Sequence, residues 1–335
     1  MPATIFDVAR AAEVSTATVS NALNGTGRVS EATRRRVREA AERLGYRPNV
    51  AGRALRTGRT GMLALGVTTY GPHEWNFSEV AFYTQLITAA TATAHRHGYA
   101  LTILPATLTE PEWQALAVDG VILLDSPQDD PAIPILRDRG IPIAFDGRPW
   151  SLGPRDSWVD NDHAAATEQV IRHLRDQNAT RIALVTAYGT DLWTRTCAET
   201  YRALVPDPLI DAIDADDPEG RAAAERVLRA GADAVYGLID GLGRGALAAA
   251  RDLGLRVPDD VLIATCSEDP SYAWTAPPVT TLSLFPTDTV ALAVTALADT
   301  LSGFPASVHP GLPTRLTVRE SSSRRETGPA EKTGG

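Results

Sequence analysis

Apolar residues in the first 45 positions recur at the spacing of a helix in three short runs. The three apolar stripes consist of Val8, Ala9 and Ala12, then Val19, Ala22 and Leu23, and then Val37, Ala40, Ala41 and Leu44. Each run follows a residue whose hydroxyl can cap a helix by accepting a hydrogen bond from a free backbone amide: Thr4, Ser15 and Ser30. The pattern therefore predicts a minimal domain of three short helices, which ends near Gly45.

Residues 47–60 separate this head from the rest of the chain. Pro48 disfavours helix at the residue before it, whereas Asn49 is able to cap a new, short helix. Gly52 weakens that helix by about 1 kcal/mol relative to Ala, and an isolated helix of this length is marginal in water. We therefore predict a head over residues 1–46 and a hinge or linker that is helical only when another structure supports it.

From Met62 onward, short apolar runs typical of buried strands alternate with longer stretches of helical spacing. The predicted strands are 62–68, 100–104, 120–124, 142–145, 182–185, 234–238 and 261–265, with a last strand at 314–319. The predicted helices are about 78–97, 130–139, 162–176, 192–204, 217–230 and 243–253. Strands that alternate with helices indicate an α/β fold with parallel sheets, and there are too many βαβ units here for one compact sheet.

The α/β part is therefore predicted to form two lobes over residues 61–321. The first lobe takes about 61–158 and 283–321, and the second takes about 159–282. We expect the last strand to cross back to the first lobe. Residues 322–335 are polar and aperiodic, which predicts a disordered tail.

Charge is distributed unevenly between the head and the rest of the chain. The formal net charge of the 335 residues is −9, which by itself argues against a nucleic-acid partner. Residues 1–59, however, contain 11 Arg and 5 acidic residues, a net of +6, and the remainder contains 21 basic and 36 acidic residues, a net of −15. A basic head on an acidic body is typical of a protein whose small domain contacts phosphate, although a charge run alone is as typical of a solvated surface.

Composition also disfavours several other classes of protein. No apolar run approaches the ~20 residues that span a bilayer, and the N-terminus lacks the charged and apolar regions of a signal peptide. We therefore expect no membrane partner and a cytoplasmic, nucleoid-associated location. Cys197 and Cys266 are too few for a disulfide framework or a four-thiolate metal site, and no cofactor is expected.

The head resembles, position by position, the DNA-binding headpiece of the lactose-repressor (LacI/GalR) family. The matching stretches are Thr4–Asn24, Val29–Arg34, Leu44–Asn49 and Ala54–Thr60. The body resembles the family more weakly, at Ile141–Ile143 with Asp146, Val159–Asn161, Gly254–Asp260, Pro277–Thr281 and Arg315–Ser321. The resemblance implies a sequence-specific DNA-binding transcriptional regulator, a repressor, with an all-α helix-turn-helix head and a two-lobed α/β body like the periplasmic sugar-binding proteins.

The resemblance assigns the second predicted helix to the DNA major groove, where base edges carry a distinctive pattern of donors and acceptors. Thr16, Ala17 and Asn21 match the base-reading positions, and Asn21 stands where many relatives are expected to have Arg. The expected phosphate contacts are Ser15, Thr18, Ser20, Asn24, Ser30 and Thr33. Ordinary helix capping is an equal alternative for Ser30, and the two roles are compatible.

Leu55 in the linker matches the residue with which two hinge helices of this family, one from each subunit, wedge open a base step in the minor groove. The alternative is a leucine packed against its own domain. Gly52 makes the hinge helix costlier to order, so its folding would depend more on DNA. Two hinge helices that meet across a dyad imply a homodimer on a pseudo-palindromic double-stranded operator, and the lack of a C-terminal leucine heptad favours a dimer over a tetramer.

The family body implies a small-molecule effector, held between lobes that three crossovers connect, in a cleft lined by loops at the carboxyl ends of strands. The residues expected there are Tyr70, Trp75, Phe77, Asp125, Asp146, Trp193, Arg195, Asp240, Ser267 and Glu268. The family's polar clamp is altered, because Cys197 stands where an effector-binding Arg is usual, Ile239 replaces an Asn and Ser267 replaces an Asp. The alternatives are a carbohydrate, a more apolar ligand stacked on the aromatic residues, and no effector at all.

Interpretations as an enzyme have little support in the sequence. The glycines from Gly241 to Gly245 follow a strand and precede a helix, but they lack the full spacing of a dinucleotide-binding turn. No Gly-x-Ser-x-Gly nucleophile elbow occurs, and neither cysteine has a histidine nearby in sequence. The remaining alternatives are a small-molecule-binding protein with a vestigial head and a nucleotide-dependent enzyme at the Gly241 turn.

Overall fold

The computed structural model of the chain describes residues 3–24, 27–46, 58–67, 80–105, 107–186, 191–213, 217 and 219–324. The chain forms two compact units: Met1–Thr60, which contains the head, and Gly61–Gly335, the body. Each unit is described by itself below. The predictions for Leu55, Tyr70, Trp75 and Phe77, and for most of the predicted tail, fall on positions outside the described residues.

Three helices make the head, as its apolar stripes predicted. They are α1 (Ile5–Ala11), α2 (Thr16–Asn24) and α3 (Glu31–Arg43). At the start of α1, the backbone N–H and the hydroxyl of Thr4 donate to the Asp7 carboxylate at 2.9 and 2.7 Å. Val8, Val19 and Val37, one from each helix, are fully buried in one apolar cluster. The head therefore has a small apolar core of its own.

Two six-stranded sheets form the body. In chain order, the strands are β1 (Met62–Val67), β2 (Ala100–Ile103), β3 (Gly120–Leu124), β4 (Ile143–Asp146), β5 (Ser157–Asn161), β6 (Ile182–Thr186), β7 (Leu209–Ala212), β8 (Ala234–Gly237), β9 (Leu262–Cys266), β10 (Thr280–Ser283), β11 (Val308–Leu312) and β12 (Arg315–Thr317). The first sheet has the order β11-β5-β4-β3-β1-β2, and the second has the order β12-β10-β9-β8-β6-β7. The described strands pair in parallel except for β10 and β12, so the α/β prediction is confirmed.

Helices flank both sheets. The body helices are α4 (Ala81–Arg96), α5 (Glu110–Ala115), α6 (Ala132–Asp138), α7 (His163–Asp176), α8 (Leu192–Leu204), α9 (Arg221–Arg229), α10 (Leu242–Asp252) and α11 (Pro286–Leu301), with short 3-10 helices at Pro270–Trp274 and Glu320–Ser322. Helix α11 packs on α4 and on β3, β4 and β5, which places it in the lobe of the first sheet. No helix in this described part of the chain is both long and apolar enough to cross a membrane.

The described chain passes between the lobes three times. Strand β5 leads into α7, β10 leads into α11, and β11 leads into β12. The buried side chain of Asn161, at the end of β5, holds these crossings together. Its Nδ2 lies 3.2 Å from the carbonyl oxygen of Leu284, 3.3 Å from that of Pro313 and 3.5 Å from that of Leu312. One amide group therefore donates to the backbone of both other crossings.

The prediction that residues 314–319 return to the first lobe is wrong. Strand β12 pairs antiparallel with β10 in the second sheet, and Thr281 lies opposite Thr317. The strand that completes the first sheet is β11, which runs parallel to β5 with an irregularity between His309 and Leu312. Two backbone-constraining residues, Pro310 and Gly311, lie inside β11, so its sequence lacks the pattern of a strand.

The start of the predicted disordered tail is also wrong. Ser321 and Ser322 are fully buried in the second lobe. The Ser322 hydroxyl lies 2.7 Å from Nε2 of His173 and 2.6 Å from the hydroxyl of Thr280. Backbone N–H of Arg324 donates to the side chain of Gln177 at 2.9 Å. Residues 322–324 therefore pack against the second lobe through hydrogen bonds with its polar groups.

Candidate functional sites in the head and the body

One side of α2 is open to solvent. Ala17 is exposed and Thr16 and Asn21 are half-buried, whereas Val19 and Ala22 are buried on the opposite side. The three residues predicted to read bases therefore lie on the accessible side of the helix. A rigid helix with a free polar side has the form that enters a major groove.

The serines that precede α2 and α3 cap these helices. Backbone N–H of Thr18 donates to the Ser15 hydroxyl at 3.1 Å, and that of Thr33 donates to the Ser30 hydroxyl at 3.2 Å. Both serines are nevertheless exposed, so their helix ends face solvent. Ser20 is half-buried. Capping leaves the other amides of the first turns available to an anion such as a DNA phosphate, so the observed caps are compatible with the predicted phosphate contacts. The side chain of the sixth predicted contact, Asn24, lies outside the described residues.

Asn21 is held against the loop that follows α2. A Cβ atom at Gly27 would lie only 2.9 Å from Nδ2 of Asn21, and Gly27 has a φ of +70°. The left-handed backbone favours glycine there, and a longer side chain would have to displace the Asn21 amide. Gly27 therefore lies close to one side of the Asn21 side chain.

In the body, three carboxylates lie at the carboxyl ends of adjacent strands. Asp125 follows β3, Asp146 ends β4 and Asp160 lies near the end of β5. Backbone N–H of Asp125 donates to the Asp146 carbonyl at 3.0 Å. Asp125 has a φ of +41°, and a Cβ at Gly147 would clash with its Oδ1. A strained backbone at a strand end, packed on a glycine, is typical of a functional position.

A histidine joins these carboxylates to the second lobe. Nε2 of His163 lies 2.6 Å from Oδ1 of Asp160, and its ring centroid is 6.3 Å from that of Trp193. Trp193 lies in the first turn of α8, whose capping residue Asp191 accepts hydrogen bonds from the backbone and hydroxyl of Thr194 at 2.7 and 3.1 Å. We call Asp125, Asp146, Asp160 and Asp191 the acidic cluster. It draws on both lobes.

Burial and mutual repulsion perturb the acidic cluster. Burial raises the pKa of Asp125 well above its ordinary value, and the charges of Asp191, Asp146 and Asp160 raise it further. Burial raises the pKa of Asp146 to about 7, against the stabilising hydrogen bond that the Thr289 hydroxyl donates at 3.1 Å. Burial also raises the pKa of Asp191, although its hydrogen bonds to Thr194 oppose the shift. The cluster is therefore an electrostatically unfavourable arrangement of the kind found in binding sites.

The pKa of Asp146 predicts that the body is more stable near pH 6 than near pH 8. Since its ordinary pKa is 3.8 and the folded value is about 7, the folded state binds more protons between these values. The free energy of unfolding therefore falls as pH rises through this window, by about 1 kcal/mol from pH 6 to 8 for this group. Thermal unfolding at pH 6, 7 and 8 checks this. Asp146→Asn should reduce the dependence of the free energy of unfolding on pH, and substitution of the exposed Asp138 by Asn should not. An equal pH dependence in the two variants would contradict the raised pKa of Asp146.

Asp240, Ser267 and Glu268 form a second group, in contact with α4 of the first lobe. The Ser267 hydroxyl donates to the Asp240 carboxylate, which also accepts from the backbone N–H of Ala81 at 3.2 Å. The Gln85 side chain donates to the carbonyl of Glu268 at 3.1 Å. Two of these predicted effector residues, Asp240 and Glu268, therefore accept hydrogen bonds from the other lobe, and Ser267 supports Asp240 from within the second lobe.

Arg195 has partners other than the acidic cluster. Its Nε lies 2.6 Å from Glu199, and its guanidinium stacks 5.3 Å from the ring centroid of Trp150 in the first lobe. Cys197 is buried, and burial raises the pKa of its thiol to about 12. The thiol is therefore neutral, and neither residue supplies an ion-pair partner for the acidic cluster in the structure.

The structure brings Asp125, Asp146 and Trp193 of the predicted effector residues close to three that sequence reasoning missed: Asp160, His163 and Asp191. Asp160 and His163 lie three residues apart across a strand end and a helix start, which was the available signal. Within the described residues, no group of three or more His, Cys, Asp or Glu side chains has the geometry to hold a metal ion.

Two family descriptions match the chain. Residues 4–49 match bacterial regulatory proteins, lacI family, and residues 171–322 match a periplasmic binding protein-like domain. The HTH-type transcriptional regulator CelR of Thermobifida fusca is 30% identical over 337 residues, which cover 95% of this chain and 98% of CelR. The HTH-type transcriptional regulator DegA of Bacillus subtilis is 30% identical over 302 residues, covering 84% and 87%.

Solved structures agree in fold with the described one. The transcriptional regulator CelR–cellobiose complex has a TM-score of 0.69 and 27% identity, and the match covers 95% of this chain and 99% of that one. The lac repressor dimer bound to operator and the anti-inducer ONPF has a TM-score of 0.77 and 21% identity, over 96% and 99% of the two chains. The second likeness is one of fold alone.

Proposed function

Because the chain belongs to the lacI family of bacterial regulatory proteins, we propose that this DNA-binding transcriptional regulator is a repressor that binds a pseudo-palindromic operator as a homodimer. The single observation that carries the proposal is the open side of α2 in a capped, three-helix head. The proposal places the protein in the cytoplasm on the nucleoid and assigns it no catalytic step.

In this proposal, one set of head residues contacts the DNA bases and a second set contacts the phosphates. Thr16, Ala17 and Asn21 contact base edges, where Thr16 and Ala17 meet a thymine methyl and Asn21 pairs with adenine. The phosphate contacts that fix the register come from Ser15, Thr18, Ser20, Asn24, Ser30 and Thr33. Exposure of Ser15 and Ser30 at helix starts supports this division. Leu55 of each subunit is proposed to wedge a central base step.

A small-molecule effector between the lobes is proposed to control DNA binding. The acidic cluster with His163 and Trp193, which draws on both lobes, supports a ligand there, as does the cellobiose complex of the relative CelR. Ligand binding shifts the population between lobe arrangements and thereby the spacing of the two heads. The hydrogen bonds of Asp240 and Glu268 to α4 are among the contacts that such a shift would rearrange.

Operator titrations test the proposal. We expect selection from random duplexes to return a two-fold symmetric site, with an affinity that falls by roughly 1,000-fold between 50 and 200 mM salt, because several phosphate contacts release counterions. Fluorescence anisotropy across salt concentrations measures this. Leu55→Ala is expected to weaken operator binding more than binding to random duplex, since only the specific complex is wedged. A salt-insensitive interaction, or selection of no symmetric site, would contradict the proposed function.

A further inference from the structure

The acidic cluster places carboxyl groups from both lobes around one histidine. Asp125 and Asp146 are joined by the 3.0 Å backbone hydrogen bond, and Asp160 follows Val159, which lies opposite Asp146 in the sheet. Through His163 the cluster reaches α8, where Asp191 and Trp193 are two residues apart in the first turn. These contacts put four carboxyl groups near one another where the two lobes meet.

Among the described residues, Asp146, Asp160 and Asp191 have one salt-bridge contact with a basic side chain, that of Asp160 with His163. The nearby Arg195 pairs with Glu199 and stacks on Trp150. Like charges brought together in a low-dielectric site repel one another unless a cation or a proton intervenes.

Two buried polar atoms add an independent sign of a ligand. His163 is 8% exposed and Ser126, next to Asp125, is 3% exposed. Nδ1 of His163 and Oγ of Ser126 have no hydrogen-bond partner among the described residues. Because Nε2 of His163 is held by Asp160 and the ring lies beside Trp193, Nδ1 remains for a group that enters between the lobes. Buried polar atoms are nearly always satisfied, so such atoms in a cleft indicate ligand contacts.

We infer that the effector is a hydroxylated ring that carries an ammonium group, with the ammonium among Asp125, Asp160 and Asp191 and hydroxyls on His163 and Ser126. This inference rests on the proposed effector function and names its ligand class. Charge-assisted hydrogen bonds from an ammonium relieve the repulsion that a neutral sugar leaves in place. An anionic ligand adds to that repulsion and is disfavoured. The face of Trp193 suits either the sugar ring or the cation.

Calorimetric titration of the full-length protein with a matched pair of disaccharides tests the inference. The probes are cellobiose and the β-1,4-linked glucosamine disaccharide, which differ in the two amines, and the N,N′-diacetylated disaccharide is the neutral control. We expect the diamine to bind at least 10-fold more tightly than either neutral sugar at pH 6.5 and to weaken at higher salt. Cellobiose binding as tightly as the diamine would overturn the inference, and so would the absence of diamine binding.

Asp191→Asn locates the ammonium. Asn is as good a helix cap as Asp, so α8 is expected to keep its start and the protein its melting temperature. The preference for the diamine over cellobiose should fall at least 5-fold in Asp191→Asn and be unchanged in the exposed Asp138→Asn; an unchanged preference in both would overturn the inference. Operator titration of the same preparations separates the two claims. If the protein binds the operator but does not prefer the diamine over cellobiose, only the inferred ligand class is wrong. If the protein does not bind the operator, the proposed function is wrong.

Discussion

Replacing Ala17 by Glu is expected to weaken operator binding by about 100-fold, because like charges placed across an interface cost several kcal/mol. Ala17 is exposed in the first turn of α2, where it has room for a longer side chain. An acidic residue in a first turn also favours the helix dipole, so the head itself should fold as well as before. The loss would therefore come from repulsion between the carboxylate and the DNA. Anisotropy titration with the selected operator measures it.

The matched control for this experiment is Ala11→Glu, which adds the same side chain at an exposed position at the end of α1. It carries none of the assigned DNA contacts, so its operator affinity should stay within about threefold, as expected of an exposed site. If Ala17→Glu bound the operator as the control does, α2 would not be the helix that enters the groove. Circular dichroism of both variants establishes that the head remains helical.

Asn161→Asp is expected to lower the free energy of unfolding of the body by about 3 kcal/mol, as is typical of a buried charge without a partner. In the structure, the Asn161 amide donates to the carbonyl oxygens of Leu284 and Pro313 on the two other crossings. A carboxylate in the same place faces those oxygens with no proton to donate. Acidification should restore part of the loss, since a protonated Asp regains one donor.

Urea denaturation at pH 7.5 and pH 5 measures this effect. Asn178→Asp is the matched control, since Asn178 is exposed and contributes its backbone carbonyl to Arg324. The control should change the free energy of unfolding by less than about 0.5 kcal/mol. A loss of similar size in the two variants would mean that the Asn161 amide does not hold the crossings together.

The helices of the second lobe were predictable because each keeps one polar side. Helices α7 to α10 lie within a few residues of their predicted positions. Helix α11 was missed for the opposite reason. It is buried on most of its surface, including Thr289, Val290, Ala293, Val294, Ala296, Leu297 and Ala298. A helix covered by α4 on one side and a sheet on the other needs no polar stripe, so its sequence shows no helical period.

The candidate sites were predictable to different depths. Strand ends are visible in the sequence, and they led to Asp125 and Asp146. His163 was missed because its contact with Trp193 joins the starts of two helices, α7 and α8, that are far apart in sequence, and a contact of this kind depends on how the two helices pack. Asp240 was predicted to bind effector, and its hydrogen bond to α4 of the other lobe was likewise not predictable from the sequence.

The interleaving of the two lobes has a consequence for synthesis. On the ribosome, β1 to β5 emerge before the rest of the body, yet their sheet lacks α11 and its edge strand β11 until residues 286–312 have been translated. The second lobe likewise waits for β12 and for Ser321 and Ser322. Neither half is contiguous, so a nascent chain cannot finish one before it begins the other. A truncation near residue 300 would leave both halves incomplete and expose apolar surface to chaperones and proteases.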